Sequence, residues 1–273
     1  MQAMCSEASL KDYPWTMQEQ TGGAVGTHKA ARKAIGLSLR RDYFLQLDML
    51  AKSAQGSSQN GWSFLKAMRA VEEWKKRLRL TDLRRYRPGS EVFAGTFYDS
   101  GFLIERGILA LHYLFPDGRE TLFMLAYPGE MVNLTALSRA EPMPTAVTAV
   151  TNCDVYRIEA HRMQTAERDD PEIPKLLNRS LQDQIAKRTK ALVELKTLSP
   201  AERLERHLCE LAHVLGCDIH AKPVRVIVPL KDTEMAMLLG LSVRQFKRVK
   251  KSLQEEGRLT LENSRVFVLP ECR

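Results

Sequence analysis

Leu230–Leu261 constrains the fold of this chain more than any other stretch, because it predicts two short amphipathic helices joined by a tight corner. Apolar side chains recur at helical spacing in both halves. They are Met235, Leu238 and Leu239 in the first helix, and Phe246, Val249 and Leu253 in the second. Gly240 can end the first helix with a positive φ at no steric cost. Ser242 is placed to cap the second helix, and Gln245 completes a capping-box pattern.

The outward face of the second helix carries cations and an amide, and no acid. Its polar side chains are Arg244, Gln245, Lys247, Arg248, Lys250 and Lys251. A helix that is apolar on one side and cationic on the other fits the major groove of DNA, where Arg reads guanine, Gln reads adenine and Lys contacts phosphate. The alternative is an ordinary helical hairpin with a solvated basic face.

An alternating pattern after Gly257 predicts a two-stranded hairpin, or wing, around the polar turn 262–264. We therefore predict a winged helix-turn-helix in residues 199–273 that binds double-stranded DNA. The predicted base-reading residues are Val243, Arg244, Gln245 and Arg248. The predicted phosphate-binding residues are Ser242, Lys247, Lys250, Lys251 and Arg265.

Charge and cysteine usage agree with a DNA-binding protein that acts in the cytoplasm. The formal net charge of +8 makes a polyanionic partner plausible. The five cysteines are scattered without a CxxC pair, so a reducing compartment is expected rather than a disulfide framework. No apolar run approaches the length of a membrane span, and the N-terminus lacks a secretory pattern, so no membrane partner is predicted.

The first half of the chain contains three segments with different sequence patterns. Residues 1–62 predict a poorly ordered or partly helical extension, or alternatively a partner-binding arm. A helix is predicted over Trp62–Leu80, with Phe64, Leu65, Met68, Val71 and Trp74 on one face. From Leu83 to Ile158 short apolar runs alternate with Gly and Pro turns, which predicts an antiparallel sandwich or barrel within residues 63–160. The fold class is therefore α+β.

Residues 161–198 are assigned to a long helix, with Pro171 and Pro174 at its start. Its apolar positions recur at coiled-coil spacing with polar exceptions. The predicted homodimer seam is Asn178, Leu181, Ile185, Arg188, Leu192 and Leu195. The alternative is a helix packed on its own barrel, and its first half could rest there in either case. Ser199 and Glu202 predict a capping box, which places a hinge at Leu198/Ser199.

The order of these parts resembles the Crp/Fnr family of bacterial transcription regulators over about Leu80–Leu269. The most specific matches are Leu230–Leu261 and the segments RPGSEVF, GFLIERG and FPDGRETLFMLAYPGE. The resemblance implies a jelly-roll-like N-terminal β-roll of the cyclic-nucleotide-binding type, a dimerisation helix and a C-terminal winged helix-turn-helix. It implies a homodimer reading two half-sites about 34 Å apart, with RNA polymerase as a further partner.

Departures from the family pattern argue against its usual ligand. The Gly-Glu pair that holds the cyclic nucleotide falls on Asn133-Leu134, and the phosphate-binding Arg falls near Met143-Pro144, with Arg139 out of register. Leu and Met side chains cannot replace a charged partner of ribose or phosphate. We predict no cyclic-nucleotide binding and no cofactor, and the effector is unknown. Only Cys5 lies near the N-terminus, so a four-cysteine cluster site is also absent from one chain.

The start of the second helix also departs from the family's Ser-Arg-Glu-Thr, since this chain has Ser242-Val243-Arg244-Gln245. The usual half-site is therefore not expected. Arg244 and Arg248 favour guanine, and Val243 can meet a thymine methyl group.

Two other classes of function remain as alternatives. One is a small-ligand or redox sensor whose winged helix contacts protein, and the other is a cupin-like enzyme. The enzyme is disfavoured because His112 is the only histidine in the predicted roll. Cys209 and His213 have a spacing that can chelate a metal, but neighbouring leucines favour a small helical core, so no metal is predicted. Cys153 is likewise expected in the core.

Overall fold

The computed structural model describes residues 60–95, 99–138 and 143–272, all within the compact unit Leu47–Arg273. Residues 1–59 of the predicted N-terminal extension lie outside these ranges, and residues 60–62 belong to the first described helix. The helices described are α1 (Asn60–Leu78), α2 (Leu134–Ser138), α3 (Ala160–Asp169), α4 (Glu172–Thr197), α5 (Pro200–Val214), α6 (Asp232–Leu238) and α7 (Val243–Glu255). None of them combines the length and apolar character needed to cross a bilayer.

Helix α1 packs one face inward, as its apolar spacing predicts. Val71, Trp74 and Leu78 are buried in a cluster with residues of the strands and helices that follow. The same spacing places Met68 on this face, yet its side chain is 49% exposed, so the prediction for Met68 is wrong. The side chains of Phe64 and Leu65 lie outside the described ones.

Eight strands form the antiparallel roll that the sequence and the family resemblance predict. They are β1 (Leu83–Tyr86), β2 (Glu91–Gly95), β3 (Ser100–Arg106), β4 (Leu109–Leu114), β5 (Glu120–Ala126), β6 (Met131–Val132), β7 (Thr145–Ala149) and β8 (Cys153–Glu159). The sheet orders are β1-β8-β3-β6 and β2-β7-β4-β5. Buried side chains fill the space between the sheets, with Phe93 stacked on Phe102 at 5.1 Å. The α+β fold class is confirmed.

Residues 161–198 contain two helices rather than one. Helix α3 ends at Asp169, and α4 begins at Glu172. The Asp170 carboxylate accepts from the backbone N–H of Glu172 at 2.9 Å and from Arg77 at 2.9 Å. Pro171 carries no N–H and disfavours helical geometry at the residue before it, which explains the break.

The C-terminal region has a three-stranded sheet of order β10-β11-β9. Its strands are β9 (Val224–Ile227), β10 (Thr260–Leu261) and β11 (Val266–Leu269). The predicted hairpin is β10 and β11, whereas the sequence pattern does not predict β9. Strand β9 has only four residues, so its alternating burial gives little signal.

The roll and the C-terminal region share one apolar cluster. Helix α6 packs against β5. Leu122 and Leu125 of β5 belong to the same buried cluster as Met235 and Leu239. The helix pair is therefore held against the roll by a continuous core.

Candidate nucleic-acid interface

The N-terminus of α7 is built by the predicted capping box. The Ser242 hydroxyl accepts from the Gln245 N–H at 3.2 Å, and Gln245 Oε1 accepts from the Ser242 N–H at 2.9 Å. Gly240 forms the corner with φ +66°. The cap engages the oxygen of Gln245, so its amide nitrogen is the group left to meet a base edge.

Helix α7 turns a strongly apolar face inward. Phe246 and Leu253 are both fully buried, and Val249 is half-buried against the same cluster. Burial of aromatic and leucine side chains is worth roughly 1.5–3 kcal/mol each. This face fixes the rotation of the helix and so decides which side chains point to solvent.

Lys250 is not on the outward face. Its side chain is 12% exposed and pairs with Asp232 at 2.7 Å. Position 250 follows Phe246 by four residues and precedes Leu253 by three, which places it on the buried stripe. The structure therefore removes Lys250 from the predicted phosphate contacts, and helical spacing alone could have shown this.

The remaining outward cations share one face of α7 at spacings of three and four residues. They are Arg244, Lys247, Arg248 and Lys251, all exposed. The first three form no ion pair with any residue in the described ranges. Lys251 lies 3.5 Å from Glu255, and both side chains are more than 60% exposed. Such surface pairs contribute about 0–1 kcal/mol, so Lys251 can exchange Glu255 for a phosphate at little cost.

Two further predicted side chains lie at the edges of this face. Val243 is 37% exposed at the first position of α7. Arg265 is exposed in the turn between β10 and β11, where Asn263 Oδ1 accepts from its backbone N–H at 2.8 Å. The wing thus holds Arg265 in a defined turn and leaves its guanidinium on the surface.

The predicted hinge at Leu198/Ser199 is ordered by hydrogen bonds. Ser199 and Glu202 form the predicted capping box, and that hydrogen bond lowers the pKa of the Glu202 carboxyl. Arg203 Nη1 donates to the carbonyls of Leu195 at 3.1 Å and Leu198 at 3.0 Å. The end of α4 and the start of α5 are therefore tied together across the junction.

Helix α4 changes character along its length. Ile173, Leu176 and Leu177 in its first half are buried against the roll. In its second half Ile185 is 61% exposed and Leu192 is 59% exposed. These are exposed apolar side chains on one face of the protomer.

The other predicted seam residues have different surroundings. Asn178 and Arg188 are exposed, and Arg188 donates to Gln184 at 3.1 Å. Leu181 is half-buried against the cluster shared with α1. Leu195 is 41% exposed, and its Cδ2 lies 3.2 Å from the position a Cβ would take at Gly240. Leu195 therefore sits beside the helix corner of its own chain as well as on the exposed face.

The family's Gly-Glu pair falls on Asn133, whose side-chain amide donates to the Ser100 carbonyl at 2.8 Å, and on the apolar Leu134. Leu134 is 8% exposed and Leu137 is 2% exposed, both within the cluster that includes α1. Leu137 fills the space beside Gly101, where an added Cβ would come within 2.4 Å of it. Met143 is 42% exposed, and Arg139 lies outside the described residues.

Cys153 lies in the core of the roll and Cys209 packs against the C-terminal core, as predicted. Burial raises the pKa of Cys153 and of Cys217 to about 11, so both thiols stay protonated at neutral pH. Over the described ranges, no group of three or more histidine, cysteine or acidic side chains is arranged to hold a metal ion.

Comparison with known proteins agrees with this architecture. Residues 83–169 match the cyclic nucleotide-binding domain family. A probable transcriptional activator from Rhizobium leguminosarum bv. viciae is 27% identical over 197 residues, covering 69% of this chain and 77% of the relative. A CRP-like cAMP-activated global transcriptional regulator from Mycobacterium tuberculosis is 25% identical over 200 residues, covering 73% and 88%. The chain is thus similar to transcription regulators of the Crp/Fnr type.

Solved structures of two transcription regulators share the fold. The c-di-GMP responsive global regulator CLP of Xanthomonas campestris superposes with a TM-score of 0.60 at 22% identity, covering 74% of this chain and 98% of that one. A CRP/FNR-family transcriptional regulator from Thermus thermophilus gives a TM-score of 0.58 at 18% identity, covering 68% and 93%. The resemblance inferred from the sequence is confirmed, and the relatives are named as transcription regulators rather than enzymes.

Proposed function

We propose that this chain is a sequence-specific, double-stranded-DNA-binding transcription regulator of the Crp/Fnr type that acts as a homodimer. The observation that carries the proposal is the outward face of α7, where Arg244, Lys247 and Arg248 are exposed and unpaired within the described ranges. A rigid helix with unneutralised cations on one face is suited to a duplex groove.

Specificity would come from the first turns of α7. Arg244 and Arg248 are one helical turn apart, so both can reach base edges from one face. A bidentate Arg–guanine contact is worth roughly 1–3 kcal/mol of discrimination. Val243 beside them can pack on a thymine methyl group. Lys247, Lys251 and Arg265 would supply phosphate contacts and a salt-dependent affinity.

The exposed apolar face of α4 supports the homodimer. Ile185 and Leu192 are seven residues apart, which is the repeat of a coiled-coil seam. A second copy of α4 would cover both side chains, and Arg188 between them would restrict the register. A two-fold dimer would present two copies of α7 to two half-sites.

The roll is proposed to lack cyclic-nucleotide binding at the family's usual position. Leu134 and Leu137 fill that region with apolar side chains that face the protein interior. The roll would then respond to an effector of another kind or serve as a dimer scaffold. A regulator of this type would act in the cytoplasm together with RNA polymerase.

Selected-site binding on the purified protein, followed by mobility shifts with competitor DNA, tests the proposal. The expected result is a two-half-site operator bound in preference to scrambled duplex. Arg244→Ala should relax the preference at one base pair of each half-site, whereas Lys247→Ala should weaken all sequences alike. Indifference to every duplex at moderate salt would refute DNA binding and favour a winged helix that contacts protein.

A further inference from the structure

The inward face of α7 contains one charged side chain among apolar ones. Lys250 Nζ lies 2.8 Å from Asp232 Oδ1 and 2.7 Å from Oδ2. The same ammonium lies 5.0 Å from the ring centroid of Phe246 and 5.8 Å from that of Phe267. The side chain is 12% exposed, so this is an internal contact rather than a surface pair.

The pair lies where three elements of the C-terminal region meet. Asp232 is the first residue of α6, Lys250 lies in the second half of α7, and Phe267 lies in β11 of the wing. The rest of this contact is apolar, with Phe246, Leu253 and Phe267 all buried. Apolar contacts are non-directional, so they define the angle between two packed helices less sharply than a hydrogen bond does.

Hydrogen bonds from one ammonium to both oxygens of a carboxylate fix a distance and a direction. A partly buried ion pair recovers little net stability over an apolar pair, since desolvation opposes the attraction. Its best-supported role is to select one arrangement among several with similar packing. The charge of Lys250 therefore affects the arrangement of α6 and α7 more than the stability of the fold.

We propose that Asp232 and Lys250 are positioning residues that set the angle between α6 and α7, and that Lys250 does not contact DNA. The inference rests on the proposed function for its effect on DNA reading. The pair would hold α7 so that Arg244 and Arg248 enter the groove together. Breaking the pair would change the orientation of α7 but would leave every side chain that contacts the duplex unchanged.

A measurement without DNA tests the geometric half of the proposal. Spin labels are attached through ketone-bearing amino acids at the exposed positions Thr233 and Gln254, which leaves the native cysteines unlabelled. Lys250→Met should broaden or shift the distance distribution, because the Asp232 carboxylate then has no cation. The double variant Asp232→Asn with Lys250→Met should restore a narrow distribution. An unchanged distribution in Lys250→Met would overturn the proposal.

A DNA measurement tests the other half, with Lys247→Met as the matched exposed lysine on the same helix. Lys247→Met should flatten the slope of log affinity against log salt by about 0.9 for each phosphate that the lysine neutralises. Lys250→Met should leave that slope unchanged and lower the preference for the operator by about tenfold, the order of one misplaced bidentate contact. A slope lowered as much as in Lys247→Met would overturn the proposal. If the wild-type chain binds no duplex, the proposed function fails, and the spin-label distances still decide the role of the pair.

Discussion

Replacing Leu192 by Ala should weaken the proposed homodimer without destabilising the protomer, because this apolar side chain is largely uncovered in a single chain. The side chain is 59% exposed, so roughly three-fifths of its burial energy is still available to a partner. Full burial of a leucine is worth about 1.5–3 kcal/mol, which leaves about 1–2 kcal/mol per copy and about 2–4 kcal/mol for a two-fold dimer. At 1.4 kcal/mol per tenfold change, the dimer should weaken by roughly 30- to 1,000-fold.

Sedimentation equilibrium over a range of protein concentrations measures this change directly. The protomer itself should melt as the wild type does, once the melts are compared at concentrations where both are monomeric, because Leu192 is largely unpacked within one chain. Leu177→Ala is the matched control. That leucine is 7% exposed against the roll, so its truncation should cost the protomer about 2–5 kcal/mol. A Leu192→Ala variant that melts early and dimerises as tightly as the wild type would refute the reasoning.

Three other outcomes are expected. Gly107→Ala should lower the free energy of unfolding by more than about 2 kcal/mol, since φ is +93° and the new Cβ would lie 2.3 Å from a backbone carbonyl oxygen. Gly118→Ala has a similar φ of +83° but its Cβ would meet nothing within 4 Å, so it should cost only about 1–2 kcal/mol. Denaturant titration compares the two variants. Ser199→Ala should remove about 1 kcal/mol by loss of the cap, measured by thermal melting. The pKa of the Glu202 carboxyl is lowered in the folded state, so its hydrogen bond with Ser199 stabilises the fold above the unfolded-state pKa. That stabilisation is lost as the pH falls through the folded-state pKa, so the loss of stability in Ser199→Ala should become smaller in acid. Calorimetric titration with cyclic AMP and cyclic GMP should give no micromolar binding, and saturable heat with either would contradict the proposal for the roll.

Helix α7 is predictable in outline because its sequence signals are local. Caps, a corner glycine and apolar residues at helical spacing all act within one or two turns, so Ser242 and Phe246 can be placed from the sequence. Lys250 could have been assigned to the inner face by the same spacing, but its charge favours an outward assignment. Its partner Asp232 lies 18 positions away on another helix, and no local pattern encodes that pairing.

Local sequence patterns also do not predict contacts between residues that are far apart in the chain. The break between α3 and α4 depends on Pro171 together with an Asp170 carboxylate held from α1 by Arg77. The packing of α6 on β5 is not visible in the sequence pattern. Leu122 and Leu125 fit equally well a strand whose side chains face only the interior of the roll. The family resemblance supplies the strand order, and short strands such as β9 remain below what periodicity can detect.

The apolar seat that β5 provides for α6 has a thermodynamic consequence. Because the C-terminal region shares an apolar core with the roll, it is not a freely tethered module. Moving it away would expose apolar surface to water at a cost of about 25 cal/mol for each Å². Calorimetry should then show both domains melting in one cooperative event. A change in the packing of the β5 side chains that contact α6 would act on the C-terminal region directly, without first passing through the α4–α5 junction.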